Sequence, residues 1–209
     1  MSKKLVIITG TFNPVTKAHI NLALLAIEVI QGATVIYVPA KDDFLKSWKH
    51  MEDDDIVSER ERIDMLSMAI EPYGFFYDTC EINGTVPGDT YNTLHYLAKK
   101  YEADITEVYY IFGSDKLTEL KKWYKSDLLL REFKFLVVRR TYDEVETIIN
   151  KDMFLNNSKE RFKILHGEEF FRDISATRVR QAIREGEFSE IREPVPKEAC
   201  YYLESRCQK

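Results

Sequence analysis

Cysteine is scarce in this chain: Cys80, Cys200 and Cys207 are the three, and no C-x-x-C pair joins any two of them. An odd count, with no signal-peptide pattern ahead of the first apolar run, argues against a disulfide framework and for reduced thiols in the cytoplasm. The four histidines, His19, His50, His95 and His166, are scattered and lack the spacing of a structural zinc site. No apolar run approaches the length that crosses a bilayer, so no membrane partner is expected. Neither G-x-G-x-x-G nor G-x-x-x-x-G-K-[ST] occurs, which removes the dinucleotide fingerprint and the P-loop. Positive charge is not in excess either. Thirty Lys and Arg against thirty-five Asp and Glu leave a formal net charge of −5, which argues against nonspecific nucleic-acid binding. A local basic pocket for phosphates remains compatible with an acidic whole.

What is present reads as a folded enzyme-sized domain. The 209 residues, 44% of them apolar and with twelve each of Tyr and Phe, suffice for one sizeable core. No internal repeat or low-complexity linker divides them, so the expectation is a single domain over 1–209 with a small helical portion from about 175 to 209. Strand-like and helix-like segments alternate. Strands are expected at 5–9, 34–38, 75–77, 107–112, 133–138 and 162–165. Helices are expected from Lys17, over 58–71, 90–100, 142–155, 177–185 and 197–206, with one or two short ones between 113 and 133. Ser58 and Glu61 form a capping box for the second of these. Such alternation predicts an α/β fold: a Rossmann-like doubly wound parallel sheet with helices on both faces. Ligands in such sheets bind beyond the carboxyl ends of the strands. The acidic run Glu52-Asp53-Asp54-Asp55 is read as a solvated loop.

The most informative stretch is Gly10-Thr11-Phe12-Asn13-Pro14-Val15-Thr16-Lys17-Ala18-His19, directly after the apolar run Leu5-Val6-Ile7-Ile8. It reads as strand, tight turn and helix. Thr16 is placed to cap the helix, whose N-terminus favours an anion. His19 falls in the first turn, within reach of a phosphate bound there. A second stretch, Ile174-Ser175-Ala176-Thr177-Arg178-Val179-Arg180, combines hydroxyls, first-turn amides and a guanidinium one turn on. That combination suits a polyphosphate.

The first stretch resembles the G-x-F-(D/N)-P and (H/T)-x-G-H signature of the adenylyltransferase-like nucleotidyltransferases, with Thr16 at its first position and Ala18 at its third. The second resembles the I-S-S-T-x-x-R motif of the same superfamily, with Ala176 for the middle Ser. Three inner segments narrow the likeness: Arg62-Ile63-Asp64-Met65-Leu66, Thr90-Tyr91-Asn92-Thr93-Leu94, and Gly113-Ser114-Asp115 followed by Trp123-Tyr124. In this order they look like nicotinate-nucleotide adenylyltransferases. One loop departs from that family, with Asp42-Asp43-Phe44-Leu45-Lys46 in place of its P-P-H-K run.

The resemblance implies transfer of AMP from ATP to a pyridine mononucleotide, with Mg²⁺ carried on the ATP phosphates and no metal ligands from the protein. It implies catalytic roles for His19 and Arg180. It implies ATP contacts from Gly10, Thr11, Phe12, Thr16, His19, Ser175, Thr177 and Arg180. For the mononucleotide it implies Asn13, Lys46, Thr90, Gly113, Asp115, Trp123, Tyr124 and Arg139, with Trp123 stacking on the pyridine ring. Arg140 shares the position of Arg139 after a strand. A homo-oligomer is compatible with all of this. Three readings stay open beside nicotinate mononucleotide as acceptor: nicotinamide mononucleotide, a pantetheine-phosphate adenylyltransferase, and a nucleotide-sensing protein without turnover.

Overall fold

A computed structural model describes residues 3–43, 57–101, 105–139, 144–167 and 174–207. Six strands make one all-parallel sheet: β1 (Lys3–Gly10), β2 (Ala33–Pro39), β3 (Phe76–Tyr77), β4 (Ile105–Gly113), β5 (Lys134–Val138) and β6 (Phe162–Leu165). Their order across the sheet is β3-β2-β1-β4-β5-β6. The chain winds one way from β1 to β3, then returns past β1 to wind the other way. The topological switch point therefore lies between β1 and β4, the place at the carboxyl edge where sheets of this kind bind their ligands. Ile7 pairs with Tyr110 across that line.

The strands read as continuous apolar runs because both faces are covered. Alternate residues serve the two faces. Val6, Ile8, Val35, Tyr37 and Ile111 pack on one side with helices α1 (Lys17–Val29) and α2 (Glu59–Ile70). Leu5, Ile7, Ile36, Tyr110 and Phe112 pack on the other with α3 (Thr90–Lys100) and α4 (Ser126–Glu132). Burying such an aliphatic side chain contributes about 1.5–3 kcal/mol, so each face carries a substantial share of the fold's stability.

The helix expected over 142–155 is two helices, α5 (Val145–Lys151) and α6 (Met153–Asn156). Asp152 separates them because its side chain accepts from the Phe154 N–H and so starts a new helix. A 3₁₀ helix, Ser114–Lys122, follows β4. The C-terminal part contains α7 (Ala176–Glu185), α8 (Phe188–Ile191), which the sequence did not suggest, and α9 (Lys197–Cys207). Val179, Ile191, Cys200 and Leu203 from this part join the same core as Val6 and Ile8. The late helices thus sit on the face that carries α1, which brings the two sequence motifs to one side of the sheet.

Candidate active site

The turn after β1 is built around Phe12. Its backbone is left-handed, with φ at 45°, a conformation that costs a non-glycine residue roughly 1 kcal/mol or more. Complete burial of the ring offsets that cost. The ring meets Tyr37 edge-on at 5.7 Å and His19 edge-on at 5.0 Å. Gly10 is required beneath it, since a Cβ there would lie 3.0 Å from two ring carbons of Phe12. Asn13 is buried and precedes a cis peptide bond to Pro14. Its Oδ1 accepts from the Val57 N–H at 3.0 Å.

His19 is the third residue of α1, and its ring is fixed from behind. Nδ1 accepts from the Thr16 N–H at 3.0 Å and lies 2.9 Å from Thr16 Oγ1. A backbone N–H only donates, so Nδ1 is the unprotonated nitrogen and Nε2 carries the ring proton. The imidazole here plays the part that Glu or Gln plays in an ordinary capping box. The Tyr37 hydroxyl donates to the His19 carbonyl at 3.0 Å, tying the same residue to β2. Burial pushes the Tyr37 phenol well above its ordinary range, so that hydroxyl stays a donor.

The start of α1 is less open than the sequence suggests. The Lys17 N–H donates to the Pro194 carbonyl at 2.8 Å, from the segment between α8 and α9. The His19 N–H turns back to the Thr16 carbonyl at 3.0 Å. The Lys17 and His19 amides are thus both engaged within the protein.

Arg180 joins the two motifs. Its Nη1 donates to the Asn13 carbonyl at 2.8 Å and its Nη2 to Thr177 Oγ1 at 3.1 Å. Partial burial lowers its pKa from the ordinary value, a direction that leaves an arginine charged at any physiological pH. Ser175 occupies the N-cap position of α7, and Thr177 is exposed in its first turn.

A second arginine was not foreseen as part of the site. Arg62 on α2 is 0% exposed. Nη1 donates to the Thr11 carbonyl at 2.6 Å and Nη2 to Asp42 Oδ1 at 2.8 Å. Its Nε has no hydrogen-bond partner among the described residues. The Asp42 N–H in turn donates to Glu59 at 2.8 Å. The first turn of α2 thus braces the loops that follow β1 and β2. A signal for this was present: Arg62, Met65, Leu66 and Ala69 share one helical stripe, and an arginine in a buried stripe calls for specific partners. Arg62→Met strands the Thr11 carbonyl and unpairs Asp42. We expect it to lower unfolding free energy by roughly 1–3 kcal/mol, read from urea denaturation. An unchanged midpoint would mean the brace is dispensable.

The opposite face supplies the remaining predicted residues. Thr90 is the first residue of α3, whose cap Asp89 accepts from the Asn92 N–H at 2.9 Å. Gly113 ends β4, and Asp115 is exposed on the 3₁₀ helix just beyond. Trp123 is partly buried, with its ring 6.0 Å from Tyr110 and 5.7 Å from Phe112. Tyr124 is exposed and meets Tyr91 edge-on at 6.4 Å. Arg139 follows β5; its N–H donates to the Leu165 carbonyl and its Nη2 to Glu146 at 2.6 Å. That guanidinium is already engaged by a carboxylate. Lys46, Arg140 and the acidic run at 52–55 lie outside the described residues.

Beneath α3 sits a buried carboxyl, Glu81, only 4% exposed, which accepts from Thr93 Oγ1 at 2.7 Å. Burial raises its pKa from 4.5 to about 7, with Asp89 adding to the rise and the Thr93 bond opposing it. Such a group holds an extra proton in the native state between those two values. Stability therefore declines as pH climbs from about 4.5 to about 7, then levels off. Glu81→Gln should flatten that decline. The check is the wild-type-minus-variant difference in urea midpoint against pH; a difference that does not change across the window contradicts it.

Among the described residues, no group of three or more His, Cys, Asp or Glu stands close enough to hold a metal ion. None of the described helices is long and apolar enough to cross a membrane.

The fold and the two joined motifs are those of a nucleotidyltransferase, and likeness to known proteins shows that class. The cytidylyltransferase-like family model matches residues 7–182. A Clostridium perfringens protein with the curated name "Probable nicotinate-nucleotide adenylyltransferase" is 31% identical over 185 residues, covering 88% of this chain and 87% of that one. A Staphylococcus epidermidis protein of the same name is 30% identical over 204 residues, covering 97% and 95%. The chain belongs to the nicotinate-nucleotide adenylyltransferase family within the cytidylyltransferase-like nucleotidyltransferases. Its fold matches Plasmodium falciparum nicotinic acid mononucleotide adenylyltransferase, solved with APC (TM-score 0.73, 16% identity, 98% of this chain and 96% of that one). The same protein solved with NaAD gives a TM-score of 0.72 at 17% identity.

Proposed function

We propose that the protein transfers AMP from ATP to nicotinate mononucleotide, forming deamido-NAD and pyrophosphate. The observation that carries this reading is the 2.8 Å bond from Arg180 to the Asn13 carbonyl, which joins the late helix to the turn that leads to His19. The mononucleotide's phosphate oxygen attacks the α-phosphorus of ATP in line, and pyrophosphate leaves. A phosphate monoester is already an anionic nucleophile at neutral pH, so no general base is needed. The protein's contribution is positioning and stabilisation of charge.

In this reading His19 donates from Nε2 to an oxygen of the transferring phosphate. Arg180, with Ser175 and Thr177, holds the triphosphate tail. Gly10, Thr11, Phe12 and Thr16 shape the turn against it. Thr90, Asp115, Trp123 and Tyr124 surround the acceptor, and Trp123 stacks on its ring. Lys46 meets the acceptor phosphate. Asn13 and Arg139 act at the acceptor through the backbone they hold, since Val57 and Glu146 engage their side chains. The enzymes of this family typically use a divalent metal. Mg²⁺ bound with ATP would offset the charge of its phosphates. The residues present fit that arrangement: His19 and Arg180 offer N–H donors that suit phosphate oxygens, so the cation would be held by the substrate rather than by these side chains.

The acceptor preference is the part most open to test. Purified protein is given ATP, Mg²⁺ and either nicotinate or nicotinamide mononucleotide, and pyrophosphate release is followed. We expect kcat/KM to favour the acid by ~10-fold or more, because charge-assisted hydrogen bonds are the stronger kind. A preference for the amide would replace the acceptor. No release with either would return the protein to the nucleotide-sensing reading.

A further inference from the structure

The donor-side elements α1 and α7 lie on one face of the sheet, whereas the acceptor-side elements α3 and Trp123 lie on the other. In-line attack needs the two substrates in register across the edge between those faces. One buried side chain spans that edge. Tyr110 on β4 is 6% exposed, and its hydroxyl lies 2.7 Å from Thr9 Oγ1. Thr9 is the residue before Gly10 on β1. Thr90, at the first position of α3, lies near that hydroxyl on the acceptor side. The face of Tyr110 away from this bond carries Trp123, edge-on at 6.0 Å, and Phe112, stacked at 5.7 Å.

We propose that Tyr110 is the positioning residue that sets the acceptor subsite against the donor turn, through its hydroxyl bond to Thr9 and its ring contact with Trp123. This rests on the adenylyl-transfer reading above. Tyr110 touches neither substrate in it. It acts through Trp123, which does. The apolar surroundings make the bond consequential: a phenol buried among Ile7, Phe112 and Phe135 has no water to replace a lost partner. Burial also holds the phenol protonated by raising its pKa, so a neutral hydroxyl, not a phenolate, pairs with Thr9 at every working pH. The charged group facing it is Glu81, across the same polar pocket under α3, itself bonded to Thr93.

The test is Tyr110→Phe, which keeps the ring and removes only the hydroxyl. Beside it go Thr9→Val, which removes the partner hydroxyl, and Thr9→Ser, which keeps it. The expected result is a KM for the mononucleotide raised ~5–10-fold in Tyr110→Phe and Thr9→Val, the loss of one buried hydrogen bond. KM for ATP and kcat stay within about twofold of wild type, and Thr9→Ser behaves as wild type. A merely structural role would lower stability with the mononucleotide KM unchanged, or raise both KM values together, and either pattern overturns the proposal. So does an unchanged mononucleotide KM. If Tyr110→Phe does not fold, the contrast between Thr9→Val and Thr9→Ser decides. Wild-type protein inactive with every acceptor would instead overturn the adenylyl-transfer reading itself, so the two failures are distinguishable.

Discussion

His19→Ala lowers kcat by ~10²–10³-fold, the usual cost of losing one donor aimed at developing charge. The ring is held for that task by three contacts that have nothing to do with substrate. Thr16 fixes its tautomer, Phe12 fixes its plane from the edge, and Tyr37 fixes its backbone. Losing the ring also removes the acceptor for the Thr16 N–H, a capping loss of about 1 kcal/mol. Stability and turnover can be separated with His19→Glu. A glutamate at that position completes an ordinary capping box, so the helix start regains its stability. An ionised carboxylate has no proton to donate, so turnover stays low. The check is steady-state pyrophosphate release beside a thermal melt for both variants. Recovery of turnover by glutamate would reduce His19 to a helix cap.

The second large effect belongs to Arg180. Its alanine variant loses the guanidinium from the phosphate region and frees the Asn13 carbonyl together. We expect kcat/KM for ATP to fall by ~10²-fold, as for a charged donor lost from a partly desolvated site. Arg180→Lys keeps the charge but cannot reach Asn13 and Thr177 at once, because an ammonium lacks the fork. It should recover only part of the loss. The defect should persist across the whole neutral range, since neither side chain changes charge there. Steady-state kinetics at varied ATP measures this directly. Equal kcat/KM in wild type and alanine variant would detach the late helix from the donor site.

The two motifs were legible because each carries its chemistry in consecutive residues. The strand-turn-helix around Gly10 and the Ser175-to-Arg180 turn need no tertiary knowledge to be read as candidate anion sites. The alternation of apolar runs was equally readable, and five of the six strands span several residues whose composition leaves little choice. The exception, β3, has only Phe76 and Tyr77, and both side chains are exposed at the sheet edge. The break at Asp152 was hidden because an aspartate inside a helical pattern caps a new helix only when the chain already turns there. Arg62, Glu81 and Tyr110 were hidden for a different reason. Each matters through partners 12 to 101 residues away in sequence, and only the fold brings them together. The occupied Lys17 amide belongs to the same class, since its partner is Pro194. Long-range polar contacts leave no local period, so their discovery waits on the structure.

The central claim is that the turn after β1 and the start of α7 together hold one nucleotide for attack at its α-phosphorus. The most direct measurement follows ATP labelled at the α-phosphorus through a reaction with nicotinate mononucleotide. The account predicts that the label enters the dinucleotide and that unlabelled pyrophosphate forms in equal amount. Label left on free nucleotide while the terminal phosphoryl group moves to the acceptor would contradict it.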